Sequence, residues 1–311
     1  MSEPAQEMSP LEDARSLIRG SVDLDPTPGQ KVRAALLEMG REGDFGRLGE
    51  AAEWLANWQH RFPPRIENPV LAVFASSHGL QSEGVSLSSP QDTRAHVDAL
   101  REGKAPLSAI ATQAGAAIRV FDLAIDQPTP SIAEGPAMTE RECAATIAYG
   151  FEATEEKPDL LALAVSGAGV GTAAAADLVE RRVDVVSRAL TLHRGHLSDP
   201  LQVLRFLGGR ELAACVGAII AARHQGIPVV LDGFATTIAA AVVHSVDPKA
   251  ISHCIASHVT RRPAHEAAVE RLGLQPLLQL EFQTGGGLGS ATAIGLLKTA
   301  CAPFIAEPAE G

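Results

Sequence analysis

The stretch 160–182, LLALAVSGAGVGTAAAADLVERR, decides the fold class. Leu160 to Val165 are apolar without a break, the pattern of a strand buried on both faces. The glycine-rich turn SGAGVGT follows, and an Ala-rich helix starts after it with Thr172 near its cap. Strand, tight turn and helix in that order form half of a βαβ unit. Glycines bring backbone N–H groups close to a ligand, and a helix N-terminus favours an anion. The turn therefore reads either as a phosphate site or as a close-packed strand–helix corner. It lacks the GK[ST] ending of a Walker loop, and its glycines at 167, 169 and 171 miss the GxGxxG spacing.

Further runs of the same kind lie on both sides: NPVLAVFA at 68–75, IRVFDLAI at 118–125 and IPVVL at 227–231. Helical patterns cover 139–153, 173–188, 210–224 and 236–245, and another apolar helix follows the glycines at 285–289. Alternating β and α predicts an α/β fold with a Rossmann-like, mainly parallel sheet. Before it, 11–64 reads as helical, with Trp54 and Trp58 spaced for core packing, until Phe62-Pro63-Pro64 breaks the pattern. The expected organisation is a tail at 1–10, an N-terminal helical segment at 11–64, an α/β ligand-binding domain at 65–300 and a tail at 301–311.

The 311 residues are 46% hydrophobic and 20% charged, an ordinary globular composition. A net charge of −11 and 4% aromatics argue against a nucleic-acid surface. The acidic N-terminus does not read as a secretory signal, and the longest uncharged run, 160–176, is broken by glycines, so no membrane partner is expected. Four dispersed cysteines form no CxxC pair and read as small buried hydrophobes of a reducing compartment. The ten histidines, among them the His193/His196 and His253/His258 pairs, form no HExxH or Cys/His group, so no metal is expected. No GxSxG elbow is present.

Ligands of such sheets bind where loops leave the carboxyl ends of strands. Besides 166–172, three such places stand out. The Gly208-Gly209 pair precedes the helix ELAACVGAIIAA and is either an anion-binding helix start or a plain loop end. Asp232, in VVLDGFATT, is placed to meet a ribose hydroxyl or a backbone amide, or to cap a turn. The loop QTGGGLGS at 283–290 offers backbone donors but no ionisable side chain.

Seven segments in order resemble the nicotinate-nucleotide–dimethylbenzimidazole phosphoribosyltransferase family of cobalamin nucleotide-loop assembly. They are SSHGLQSEGVS at 76–86, AEGPAMT at 133–139, SGAGVGTAAAA at 166–176, FLGGRELAACVGAI at 206–219, PVVLDGF at 228–234, SHVTRRPAHEAAVERLGLQPLL at 257–278 and GGGLGSATAIGLL at 285–297. The resemblance implies a smaller helical domain built from N- and C-terminal segments, and a cytoplasmic homodimer. It implies transfer of the 5-phosphoribosyl group of nicotinate mononucleotide to a benzimidazole nitrogen, with no cofactor. The phosphate and ribose then fall to Gly167, Gly169, Gly171, Thr172, Gly208, Gly209 and Asp232. Ser77, His78 and Glu83 form the base-side loop.

The family's acidic positions are altered. Its catalytic glutamate, in G-E-G-[ST]-G-A, corresponds to Gly286. A second glutamate corresponds to Gly167, and D-H-G reads Ser77-His78-Gly79. His78 and Glu83 are the remaining candidates for proton acceptor, with Glu281 behind them. Gly286→Glu is expected to raise activity unless a positive φ at Gly286 obstructs a side chain. Two alternatives stand beside the transferase: a degenerate relative that binds a nucleotide or ribazole phosphate as sensor or partner subunit, and a dinucleotide-dependent oxidoreductase.

Overall fold

The structure is a computed structural model describing residues 9–20, 24–41, 43–86, 88–168 and 176–305. In chain order the elements are α1 (Pro10–Arg19), α2 (Thr27–Glu38), α3 (Gly46–Trp58), β1 (Pro69–Ser77), α4 (Pro90–Arg101), α5 (Pro106–Gln113), β2 (Ala117–Asp122), α6 (Glu140–Gly150) and β3 (Leu160–Ala168). They continue with α7 (Ala176–Leu192), α8 (Pro200–Leu207), α9 (Arg210–Gln225), β4 (Val229–Leu231), α10 (Gly233–Val246), β5 (Cys254–Ala256), α11 (Pro263–Arg271) and α12 (Leu288–Ile305).

The five strands form one parallel sheet in the order β2-β1-β3-β4-β5. The apolar runs become strands because both faces are covered. Val70, Ala72 and Phe74 of β1, Leu161 and Leu163 of β3, and Val229 and Leu231 of β4 enter one core with α1, α6, α9 and α10. Leu71, Val73, Leu160, Ala162 and Val230 enter the other with α2, α3, α5 and α12. Period-2 alternation thus persists with both sets apolar. The segment 11–64 divides between the faces: α1 lies on the first, and α2 and α3 join α12 on the second.

Helix α9 is buried all round, from Ala213 to Arg223, and ends in the left-handed Gly226 at φ 68°. It and α10 fill the chain's own core. Among the described residues α12 is the one helix long and apolar enough to cross a membrane, but it packs on the sheet through Ala291, Ile294 and Leu297. It runs to Ile305, and Cys301 is buried, so 301–305 continue the helix rather than a tail. All four cysteines are free and buried. Strand β5 was not legible in the sequence.

The chain leaves β1 toward β2 on one side and returns past β1 to β3 on the other. The order therefore reverses between β1 and β3, which opens a crevice at their carboxyl ends.

Candidate active site

A cavity of about 390 Å³ occupies that crevice. His78 follows β1, Val165, Ser166 and Gly167 end β3, and Phe234 and Ala235 open α10 after β4. Leu207, Glu211 and Leu212 come from the α8–α9 junction, Thr260 and Arg262 from the segment after β5, and Thr284, Gly285 and Gly286 from the glycine loop.

One wall holds a buried charge pair. His78 is 6% exposed and Glu211 1%. His78 Nε2 lies 2.7 Å from Glu211 Oε1, and the hydroxyl of Ser76 donates to Glu211 Oε2. Ser76 faces α9 because alternate residues of β1 point that way, and Gly209 lets the imidazole in. A Cβ on Gly209 would sit 2.1 Å from His78 Cε1. Burial alone would lower the His78 pKa, but the charge and hydrogen bond of Glu211 outweigh it, and the net direction is up. Burial would raise Glu211, yet the charge of His78 and the bonds from His78 and Ser76 bring it below the ordinary carboxylate value. Both directions favour the ionised pair. The first turn of α9 is thereby filled by its own carboxylate, which suits the helix dipole.

The opposite wall carries no ionisable side chain and is held by a brace. Asp232, fully buried after β4, accepts hydrogen bonds from Gly287 N and Ser290 N, each at 2.7 Å. Its carboxylate therefore ties β4 to the start of α12, so that of the contacts expected of Asp232 the backbone amide is the one present, and Asp232 is not among the residues that line the cavity. Burial pushes Asp232 up, against the charge of His258, whose Nδ1 is 3.9 Å away. The glycines serve close approach: a Cβ on Gly233, whose φ is 73°, would lie 2.5 Å from Gly285 Cα, and one on Gly289 would lie 2.0 Å from His258 Nδ1. Gly286 differs. It has no positive φ, whereas Gly287 does, and nothing lies within 4 Å of a Cβ placed on it. The steric obstacle expected at Gly286 is absent.

The third side is set by His265. Burial pushes its pKa down to about 4, helped by His258 and Arg262. The neutral ring accepts from Thr260 N at 2.9 Å through Nδ1, which fixes the backbone of Thr260 at the cavity. Arg262 forms no hydrogen bond or ion pair among the described residues. Burial, with the charge of Arg182 added, lowers its pKa.

Several sequence candidates lie elsewhere. Glu83 Oε2 accepts from Arg188 Nη2 at 2.7 Å and Oε1 from Ser131 Oγ at 2.7 Å, bonds that hold its pKa low. It joins the loop after β1 to α7 and is not on the cavity wall. Ser77 is buried on the other sheet face from Ser76. Glu281 pairs with Arg261 at the surface. Gly208 packs against Leu204, and Gly209 against the His78–Glu211 pair. Gly169, Gly171 and Thr172 lie outside the described residues. Glu211 escaped sequence reading. Its signal was present: an acid opening a helix that is otherwise almost wholly apolar has to find a buried partner.

A family model described as phosphoribosyltransferase matches residues 24–179 and 162–307. A nicotinate-nucleotide–dimethylbenzimidazole phosphoribosyltransferase of Sinorhizobium medicae is 39% identical over 322 residues, covering 94% of this chain and 93% of that protein. The enzyme of that name from Methylocella silvestris is 41% identical over 317 residues, with the same coverage. The crystal structure of the Thermus thermophilus enzyme of that name superimposes with a TM-score of 0.77 at 28% identity, covering 95% of each chain.

Proposed function

The chain belongs to the nicotinate-nucleotide–dimethylbenzimidazole phosphoribosyltransferase family, and on that premise we propose that it makes α-ribazole 5′-phosphate for cobalamin assembly. The 5-phosphoribosyl group moves from nicotinate mononucleotide to a nitrogen of a benzimidazole-type base, and nicotinate leaves. One observation carries this reading: a match over nearly the whole chain coincides with a cavity at the β1/β3 switch point. The donor's pyridinium is already a good leaving group, so no diphosphate departs and binding and orientation supply much of the catalysis. Arg262, a cation on the cavity wall, suits an anionic nucleotide. Leu207, Leu212, Phe234 and Ile238 offer a flat base an apolar lining.

The loop 166–172 holds the 5′-phosphate in this proposal, so Thr172→Asp weakens nucleotide binding in calorimetry. Residues 11–64 support the sheet rather than the chemistry, α1 on one face and α2 and α3 with α12 on the other. The protein works in the cytoplasm, where four buried free thiols stay reduced. It forms a homodimer. Val183, Val186 and Leu190 are exposed at i, i+3 and i+7 on α7, a stripe that a second copy would cover. Light scattering reporting a monomer at micromolar concentration would remove the dimer.

The activity itself is tested by incubating the purified protein with nicotinate mononucleotide and dimethylbenzimidazole. Chromatography then follows ribazole phosphate and nicotinate, which appear in equal amounts. Nucleotide binding without either product would favour the sensor reading instead.

A further inference from the structure

We propose that His78, backed by Glu211 and Ser76, accepts the proton that the acceptor base must lose. The inference rests on the transferase reading and assigns its acid–base step.

As one benzimidazole nitrogen bonds to C1′, the bond from C1′ to the pyridinium nitrogen breaks, and its electron pair stays on nicotinate. The new ribosyl-benzimidazolium sheds its remaining N–H proton to become neutral ribazole phosphate. That proton needs an acceptor on the cavity wall. The described lining holds three ionisable side chains: His78, Glu211 and Arg262. Arg262 is a cation and cannot accept. Glu211 is sealed at 1% exposure, and its two oxygens are engaged by His78 and Ser76. A carboxylate so held is a weak base. His78 remains. Its Nε2 is fixed on Glu211, and its Nδ1 has no hydrogen bond among the described residues.

The arrangement follows the general base–orienter pattern. Nε2–H donates to Glu211, the lone pair of Nδ1 takes the proton, and the carboxylate steadies the imidazolium that results. Glu211 is thus a positioning residue, with Ser76 behind it. The charged groups facing His78 are Glu211 and Arg210, both from the start of α9. Arg210 opposes the imidazolium, but its guanidinium is turned to Glu142, 2.8 Å away, and to Gln127 O, 2.6 Å away. Glu211 in direct contact prevails, and His78 titrates above its ordinary value of 6.5.

The test compares pH–rate profiles of the wild type, His78→Gln and Glu211→Gln, using nicotinate mononucleotide and dimethylbenzimidazole. Wild-type kcat/KM rises with pH through an inflection above 6.5. His78→Gln loses about 10²–10⁴-fold and has no such inflection. Glu211→Gln keeps an inflection but moves it down by about one pH unit or more, since the negative partner is gone. A second acceptor, 1,5,6-trimethylbenzimidazole, has no N–H to lose. With it, His78→Gln and wild type differ by less than about tenfold, because the general-base contribution does not apply. A His78→Gln protein with wild-type rate and inflection overturns the assignment. So does an equal loss with both acceptors in a variant that still binds nicotinate mononucleotide, or an unmoved inflection in Glu211→Gln. A wild type that makes no product from either acceptor overturns the transferase reading and this inference together.

Discussion

Along the β1–α9 wall of the cavity the side chains are charged, buried and paired with each other. Along the 284–290 wall there is no ionisable side chain, four of the seven residues are glycines, and the polar contacts run between backbone and Asp232. Yet the second wall contains Gly286, the position expected from the family resemblance to correspond to a glutamate. The two walls thus differ in kind: one is set by paired ionisable side chains, the other by backbone packed around a single buried carboxylate. Loop 284–290 is held by the Asp232 carboxylate and by the close approach of Gly233 to Gly285, but Gly286 itself faces open space. His78, in contrast, is gripped on the other side by a partner that fixes its orientation and raises its basicity.

The comparison breaks most visibly if the brace is removed. Asp232→Ala leaves the amides of Gly287 and Ser290 buried without acceptors, and the expected loss is about 3–5 kcal/mol in urea unfolding. A loss below about 1 kcal/mol would mean that water replaces the carboxylate and that the wall is not held as described.

Next come two matched glycine substitutions. Gly209→Ala drives a Cβ to within 2.1 Å of His78 Cε1, so it costs about 1–3 kcal/mol and displaces the imidazole. Turnover falls by roughly 10²-fold with it. Gly286→Ala meets nothing within 4 Å and changes stability by no more than about 0.5 kcal/mol. Equal melting shifts in the two variants would erase the distinction between the walls.

A smaller effect appears in stability against pH. The folded pKa of Glu211 lies below its ordinary 4.5, so its contribution is fully present above 4.5 and is lost as pH falls through the folded value. The folded pKa of His78 lies above 6.5, so its contribution is fully present below 6.5 and is lost as pH rises through the folded value. The stability of wild type relative to the His78→Gln/Glu211→Gln double variant is therefore greatest between 4.5 and 6.5, and it declines on both sides. A flat difference from pH 4 to about 9, well outside those two ordinary values, would show that the pair is not ionised.

Much of this was legible in the sequence. Runs such as 68–75 and 160–165 became strands because nothing but burial on both faces suits them, and the loops after them were the right place to look. Strand β5 was missed because three residues, Cys254–Ala256, are too short for a periodicity. Of the candidate residues, His78 and Gly167 line the cavity. Asp232 stood open between a ribose hydroxyl and a backbone amide because its partners, which prove to be amides, lie 55 and 58 residues further on, and a strand-end carboxylate looks the same whether it meets a ligand or a distant amide. Glu83 was misread for the same reason, its partner Arg188 lying 105 residues away. Glu211 was passed over because an acid at a helix start usually caps a surface turn. Its 1% exposure follows from His78, which lies 133 residues earlier in the chain.

The smallest effect expected in the wild type is also the key to the most direct test. Gly286→Glu places a carboxylate on a wall with room for it. Where His78 already takes the proton, the gain is at most about tenfold, within the range left when a base is already present. The decisive measurement is the same substitution in a His78→Gln background, with turnover of nicotinate mononucleotide and dimethylbenzimidazole followed in all four proteins. The account predicts that Gly286→Glu restores about tenfold or more of what His78→Gln removes. His78→Gln turning over as fast as the wild type, with Gly286→Glu raising both alike, would contradict it.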